Sequence, residues 1–170
     1  MEKNVLNLMR LLSLTIMLAL IMPVVTNAQA GKANFAGTWA LNAEKSTQPQ
    51  GGGGGGGQRM GGGSFAVTQE ANLLTRTRTG QDGTSTSTKY TLDGKVSVNT
   101  TGRGDSKSVA TWSADGKTLT IVTTSTFNDT ERKSTEAWTL TDAKTLSIKS
   151  TSPGRDGGAE RISTRVYDKK

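Results

Sequence analysis

The feature that most limits the fold of this chain is a two-residue alternation, broken at intervals by short Asp-centred turns. Thr86, Thr88, Tyr90 and Leu92 share one face of the run Thr84–Leu92. The chain then reverses at Asp93-Gly94-Lys95, and Val96 and Val98 share a face of the returning run. A period of two marks a strand, because successive side chains point to opposite faces. Asp-Gly between two such runs signals a hairpin, since glycine accepts positive φ without steric cost. The event recurs. Val109–Ser113 meets Ala114-Asp115-Gly116 and returns as Lys117–Thr126, with Leu119 and Ile121 in phase. Ser134–Leu140, carrying Trp138 and Leu140 in phase, meets Thr141-Asp142-Ala143 and returns as Lys144–Ser150, with Leu146 and Ile148 in phase. The intervals between turns are unequal, which makes the pattern a meander of hairpins rather than a solenoid.

Further strand signals lie at Asn34–Asn42, Ala66–Gln69, Leu73–Thr79 and Glu160–Tyr167. No segment after residue 30 carries a helical period. The expected fold is all-β: an antiparallel up-and-down meander of nine or ten strands, closed or nearly closed into a barrel, because closure removes exposed strand edges. Apolar residues are sparse after residue 30, and Ser and Thr fill many strand positions. The core is therefore expected to be thin. The inward face is expected to receive the apolar set, with the alternating polar residues facing water or lining a wet cavity.

Two stretches stand outside the alternation. Residues 1–30 read as a cleaved signal peptide: Lys3 and Arg10 give a positive start, Leu11–Val25 is apolar but for Ser13, Thr15 and Pro23, and Ala28 and Ala30 form an Ala-x-Ala cleavage signal. The apolar run is short for a membrane span and ends at a helix breaker. No Cys follows it to carry a lipid anchor. The expectation is export to the periplasm or the extracellular space, with Gly31 or Gln29 as the first mature residue. Residues 48–63, dominated by Gly51–Gly57 and Gly61–Gly63, are expected to form a disordered loop. No helix and no Lys-Ser/Thr pair follows them, so they do not make a phosphate-binding loop. Residues 31–170 are then one domain.

Asn34-Phe35-Ala36-Gly37-Thr38-Trp39-Ala40-Leu41-Asn42 resembles the first strand of lipocalin-like domains, where a Gly-x-Trp closes one barrel end. Glu44-Lys45-Ser46, the Asp-Gly-Lys hairpins and the closing Val166-Tyr167-Asp168-Lys169 look like a bacterial exported branch of that group. The resemblance implies a calycin-type barrel. It also implies a structural plug of Gly37 and Trp39 packed under a basic residue of the last strand, Arg165 or, further from the end, Arg161.

The chemistry-bearing residues exclude more than they identify. The chain has no His and no Cys, which removes His-based triads, thiol chemistry and the common soft-metal sites. The Asp residues sit mainly in turns, where they cap backbone groups. No enzyme activity, metal or cofactor is expected. The chain carries a net charge of +7, but the charges are scattered. No nucleic-acid partner is expected without a clustered patch. Two functions remain. One is a barrel binding a small apolar or amphipathic molecule, with Tyr90, Trp112, Trp138, Leu119, Ile121 and Ile148 around it. Arg76 and Arg78, two apart on one strand face, would hold an anionic head group if that face points inward. The other is a structural or interaction protein of the cell envelope. Arg103-Gly104-Asp105 spells an adhesion tripeptide, and Asn99-Thr100-Thr101 and Asn128-Asp129-Thr130 match the glycosylation pattern.

Overall fold

The structure is a computed structural model that describes residues 31–47, 63–80, 82–101, 104–127, 130–154 and 158–170. The expected signal peptide and residues 48–62 of the expected Gly-rich loop lie outside them. So do Arg103 of the tripeptide and Asn128 and Asp129 of the second glycosylation match. Ten strands follow one another: β1 Gly37–Asn42, β2 Phe65–Glu70, β3 Leu73–Thr79, β4 Ser85–Thr91, β5 Val96–Thr101, β6 Gly104–Trp112, β7 Thr118–Phe127, β8 Thr130–Asp142, β9 Thr145–Ser152 and β10 Arg161–Lys169. The ladders are antiparallel, in the order β4-β3-β2-β1-β10-β9-β8-β7-β6-β5. The first and last strands pair, Leu41 opposite Tyr167, so the meander wraps round into a nearly closed barrel. Among the described residues there is no helix.

The turns sort to two ends. At one end the chain reverses between β2 and β3, β4 and β5, β6 and β7, and β8 and β9. Asp93, Asp115 and Asp142 each accept a hydrogen bond there from the backbone N–H two residues on, at 3.1, 3.1 and 2.7 Å. Gly116 needs its positive φ of 69°, and a Cβ there would collide with the carbonyl of Gly31. The closeness is used: Ala33 N–H bonds to Gly116 O at 2.9 Å. The arm 31–36 thereby crosses the end of the barrel and closes it.

The other end is the mouth. The strands rising to it are longer than the alternation implied: β6 starts at Gly104 and β8 at Thr130, whereas the alternating runs begin at Val109 and Ser134. These stretches carry no apolar period, because the residues that face inward there are polar.

Among the described residues the seam between β4 and β5 has no backbone ladder. Side chains bridge it instead. Asn99 Oδ1 accepts from Lys89 N–H at 2.8 Å, Asn99 Nδ2 donates to Lys89 O at 2.9 Å, and Ser97 Oγ accepts from Thr91 N–H at 2.8 Å. This inverts the expected facing of β5. Ser97 and Asn99 are buried, while Val96 and Val98 are 57% and 60% exposed. Facing the valines inward would leave three shielded backbone groups of β4 unpaired, each costing about 1–3 kcal/mol. Exposing two valines forfeits less than that total. Buried and bonded in this way, Asn99 is also shielded from any glycosylating enzyme in the folded chain.

Candidate functional site

Register fixes which side chains meet inside. Across β7, β8, β9 and β10 the inward rows run Leu119–Trp138–Ile148–Arg165, then Ile121–Glu136–Ser150–Ser163. Nearer the mouth, Ser125 faces Arg132 and Ser152 faces Arg161. On the opposite wall, Phe65, Val67 and Gln69 of β2 pair with Arg78, Arg76 and Leu74 of β3, and these with Thr86, Thr88 and Tyr90 of β4. The interior thus changes character along its axis. Its closed half is apolar and solid. Its open half is lined by hydroxyls and guanidinium groups.

The closed half takes the expected aromatic and aliphatic set. Tyr90, Leu119, Ile121, Trp138 and Ile148 are all buried, alongside Phe35, Trp39, Phe65, Leu146 and Tyr167. Phe35, at the tip of the arm, stacks on Trp112 with 8° between planes and meets Trp138 edge-on, both at 5.8 Å. Gln69 anchors the arm by accepting from Phe35 N–H and donating to Ala33 O, each at 2.9 Å. Phe65 lies edge-on to Tyr167 at 4.9 Å. These rings touch one another, so the set expected around a ligand forms the floor beneath the polar half.

The plug differs from expectation in its cation. Trp39 is fully buried, and its indole N–H donates to Phe35 O at 2.8 Å. The group over its ring is Lys169 Nζ, at 5.5 Å, not Arg165 or Arg161. Register explains the correction: Trp39 is opposite Lys169, and Arg165 lies four residues back along β10, about 13 Å at ~3.3 Å per residue. Gly37 has φ 142°, and the Lys169 stem occupies the space a Cβ would take. The Gly-x-Trp pattern therefore lets a lysine stem cross to the indole.

The strand face carrying Arg76 and Arg78 points inward. Arg76 Nη1 meets Glu136 Oε2 at 3.1 Å, and its Nη2 donates to Tyr90 OH at 3.1 Å. Its guanidinium also lies 5.6 Å from the Trp138 ring centre, whose N–H donates to the same Glu136 oxygen at 3.0 Å. Burial acts to lower the pKa of Arg76, but Glu136, Tyr90 and the hydrogen bond to Glu136 raise it on balance. Burial pushes Tyr90 above the ordinary phenol value against the opposing pull of Arg76. Arg78, 5.9 Å from the Phe65 ring centre, is lowered first by burial and then by Arg76, with Arg165 adding to the effect. The guanidinium groups of Arg76, Arg78 and Arg165 thus share the middle of the barrel with the carboxylate of Glu136. Sequence reasoning did not single out Glu136, Ser150 or Arg165 as members of this cluster. Their one signal was a period-two phase with Trp138, Ile148 and Tyr167.

Two polar atoms beside the cluster, Arg165 Nε and Ser150 Oγ, are shielded from solvent and have no hydrogen-bond partner among the described residues. They are diagonal neighbours on adjacent strands, since Arg165 is opposite Ile148 and Ser163 opposite Ser150. Toward the mouth from them, past Ser152 and Arg161, lies a cavity of about 870 Å³ whose lining includes those two residues with Ser125 and Ser134. Among the described residues there is no group of three metal-ligating side chains. No helix there is long and apolar enough to cross a membrane.

No protein-family model matches the chain, and no curated protein matches it in sequence. Solved structures do match in shape. An abundant heat soluble (SAHS) protein from Ramazzottius varieornatus superposes with a TM-score of 0.56 at 10% identity, over 80% of this chain and 95% of that one. Zebrafish ileal bile acid-binding protein, solved with cholic acid, gives 0.53 at 18% identity, over 80% and 98%. A mutant of the fluorescent protein UnaG gives 0.50 at 17% identity, over 80% and 96%. At these identities the likeness establishes the fold alone, an antiparallel β-barrel of the shape these proteins share.

Proposed function

We propose that this chain is an exported, non-enzymatic binding barrel for a small amphipathic acid, whose anionic group enters the polar half and is held by Arg165 and Ser150 in the field of Arg78. The observation that carries the reading is the shielded, unpartnered pair Arg165 Nε and Ser150 Oγ beside the guanidinium groups of Arg76 and Arg78. A buried donor without an acceptor is costly. An oxyanion supplies the missing acceptor through charge-assisted hydrogen bonds. Arg76 is engaged by Glu136 and positions that carboxylate, so the deep contacts fall to Arg165 and Ser150. The body of the ligand would extend from there toward the mouth, with Phe65 beside it and its polar side toward the hydroxyls. Cholic acid, bound by the zebrafish neighbour, is an acid of this kind.

Isothermal titration of the protein with cholate, dodecanoate and neutral dodecanol tests the reading. The acids should bind and the alcohol should not. Arg165→Gln should weaken the acids by about tenfold or more, the loss of one charge-assisted contact. Equal binding of alcohol and acid, or indifference to Arg165→Gln, refutes it. Failure of any acid to bind favours the envelope-protein reading. Export rests on the order of charged, apolar and small residues in 1–30. N-terminal sequencing of material secreted by the native host should begin at Gly31 or Gln29, and an intact Met1 in the membrane fraction refutes export.

A further inference from the structure

We infer that the acid this barrel takes is a hydroxylated dianion, with its two negative groups at opposite ends of a polar body. The inference rests on the binding reading above and adds a second cationic tier to it. Arg161 lies on the same face of β10 as Arg165, four residues nearer the mouth, a separation of about 13 Å along the strand. Arg132 stands in the same relation to Glu136 on β8. Both Arg161 and Arg132 line the mouth cavity. Lys133 joins them at the rim, with Glu131 as the carboxylate among the lining residues, so positive charge is in excess among the described residues that line it. An acid bound at the deep tier by its only charged group would leave that rim unused.

The wall between the tiers decides the nature of the body. The inward positions there are Ser150, Ser163, Ser152 and Ser134, and beside Ser134 on the same wall Thr123 shares a hydrogen bond of 2.9 Å with Ser108. Serine is the smallest side chain able to both donate and accept. A tier of serines leaves width for a ligand while demanding hydrogen bonds from it. A bare hydrocarbon chain would strand the hydroxyls without a partner, Ser150 Oγ among them, away from water. A body carrying hydroxyl groups of its own would not.

The test uses one rigid hydroxylated body with one or two charges: cholate, and cholate bearing a sulfate on its 3-hydroxyl, at the end opposite the carboxylate. Titration of the protein should show the sulfated acid binding about tenfold tighter or better, as one added charge-assisted contact predicts. The preference should fall steeply with salt. Arg161→Gln and, separately, Arg132→Gln should reduce it until the two acids bind alike. Both side chains sit at the mouth outside the packed core, so neither substitution threatens the fold. Arg165→Gln should instead weaken both acids together. Binding of cholate without any gain from the sulfate, or a preference that survives Arg161→Gln and Arg132→Gln, overturns the dianion inference and leaves the binding reading standing. Failure of both acids to bind overturns the binding reading and the inference with it.

Discussion

Replacing Glu136 by Gln should move stability and affinity in opposite directions. Glu136 Oε2 accepts from Arg76 at 3.1 Å and from the Trp138 indole at 3.0 Å. The two partners of the ion pair keep only 13% and 25% of their side-chain exposure, so solvent screens the interaction weakly. Gln keeps the shape and one acceptor but removes the charge, leaving the Arg76 guanidinium buried without that counter-ion. Hydrogen bonds to charged groups contribute about 1.5–3 kcal/mol each, and a broken buried pair costs about 3–5 kcal/mol. With one acceptor retained, the loss should be about 2–3 kcal/mol. For a domain of this size that is roughly 10 °C in melting temperature. Anion binding should improve. Glu136 lies directly opposite Ser150 across the β8–β9 ladder, which places its carboxylate within about 8 Å of an oxyanion held by Ser150 and Arg165. Two like charges at that distance repel by about 2 kcal/mol at an effective dielectric near 20. Removing one should tighten cholate between about tenfold and 30-fold. Urea denaturation followed by tryptophan emission reads the first effect, and titration well below the melting point reads the second. A variant that is destabilised and also binds more weakly would show that Glu136 does not oppose the ligand, and the anion reading of the cavity would fail with it.

Phe35→Ala should lower stability by about 3–5 kcal/mol, as for any fully buried aromatic, measured as a fall in the urea midpoint. An unchanged midpoint would mean that the arm 31–36 does not close the barrel. Asn99→Ala should cost about 1–3 kcal/mol through the two bonds it makes to Lys89, and should speed hydrogen exchange at the Lys89 amide; protection unaltered there would refute the side-chain seam. The Asp93 carboxyl is held down to about 2, first by the Lys95 backbone N–H. A depressed carboxyl stabilises the fold above its unfolded pKa, and that contribution is lost as pH falls through the folded one. Asp93→Ala should therefore lower the melting temperature at neutral pH, with the gap to the parent closing between about pH 4 and pH 2; a gap independent of pH would refute the turn's role.

The hairpins were legible because Asp-Gly turns leave a local signature and because Trp138, Leu140, Leu146 and Ile148 alternate with polar neighbours in the apolar half. The open half was not legible. There both faces of each strand carry Ser, Thr and charged residues, and a period of two separates two faces without saying which is inside. Ser106 and Ser108 of β6 face the interior, and so do Arg132 and Ser134 of β8, yet nothing in their own segments distinguishes them from the outer Lys107 or Thr135. The facing of β5 was misread for the opposite reason. Val96 and Val98 look like core, but the missing β4–β5 ladder demands polar groups inside, a requirement set by the neighbouring strand rather than by β5 itself. The cation over Trp39 was missed because identifying it takes the β1–β10 register to the residue. The same physics governs all of these cases. Apolar burial announces itself in the alternation, whereas buried polar groups are placed by partners on other strands. A barrel that keeps its apolar residues for a solid floor and its serines and arginines for the open half therefore places that open half in the segments where hydrophobic patterning is silent.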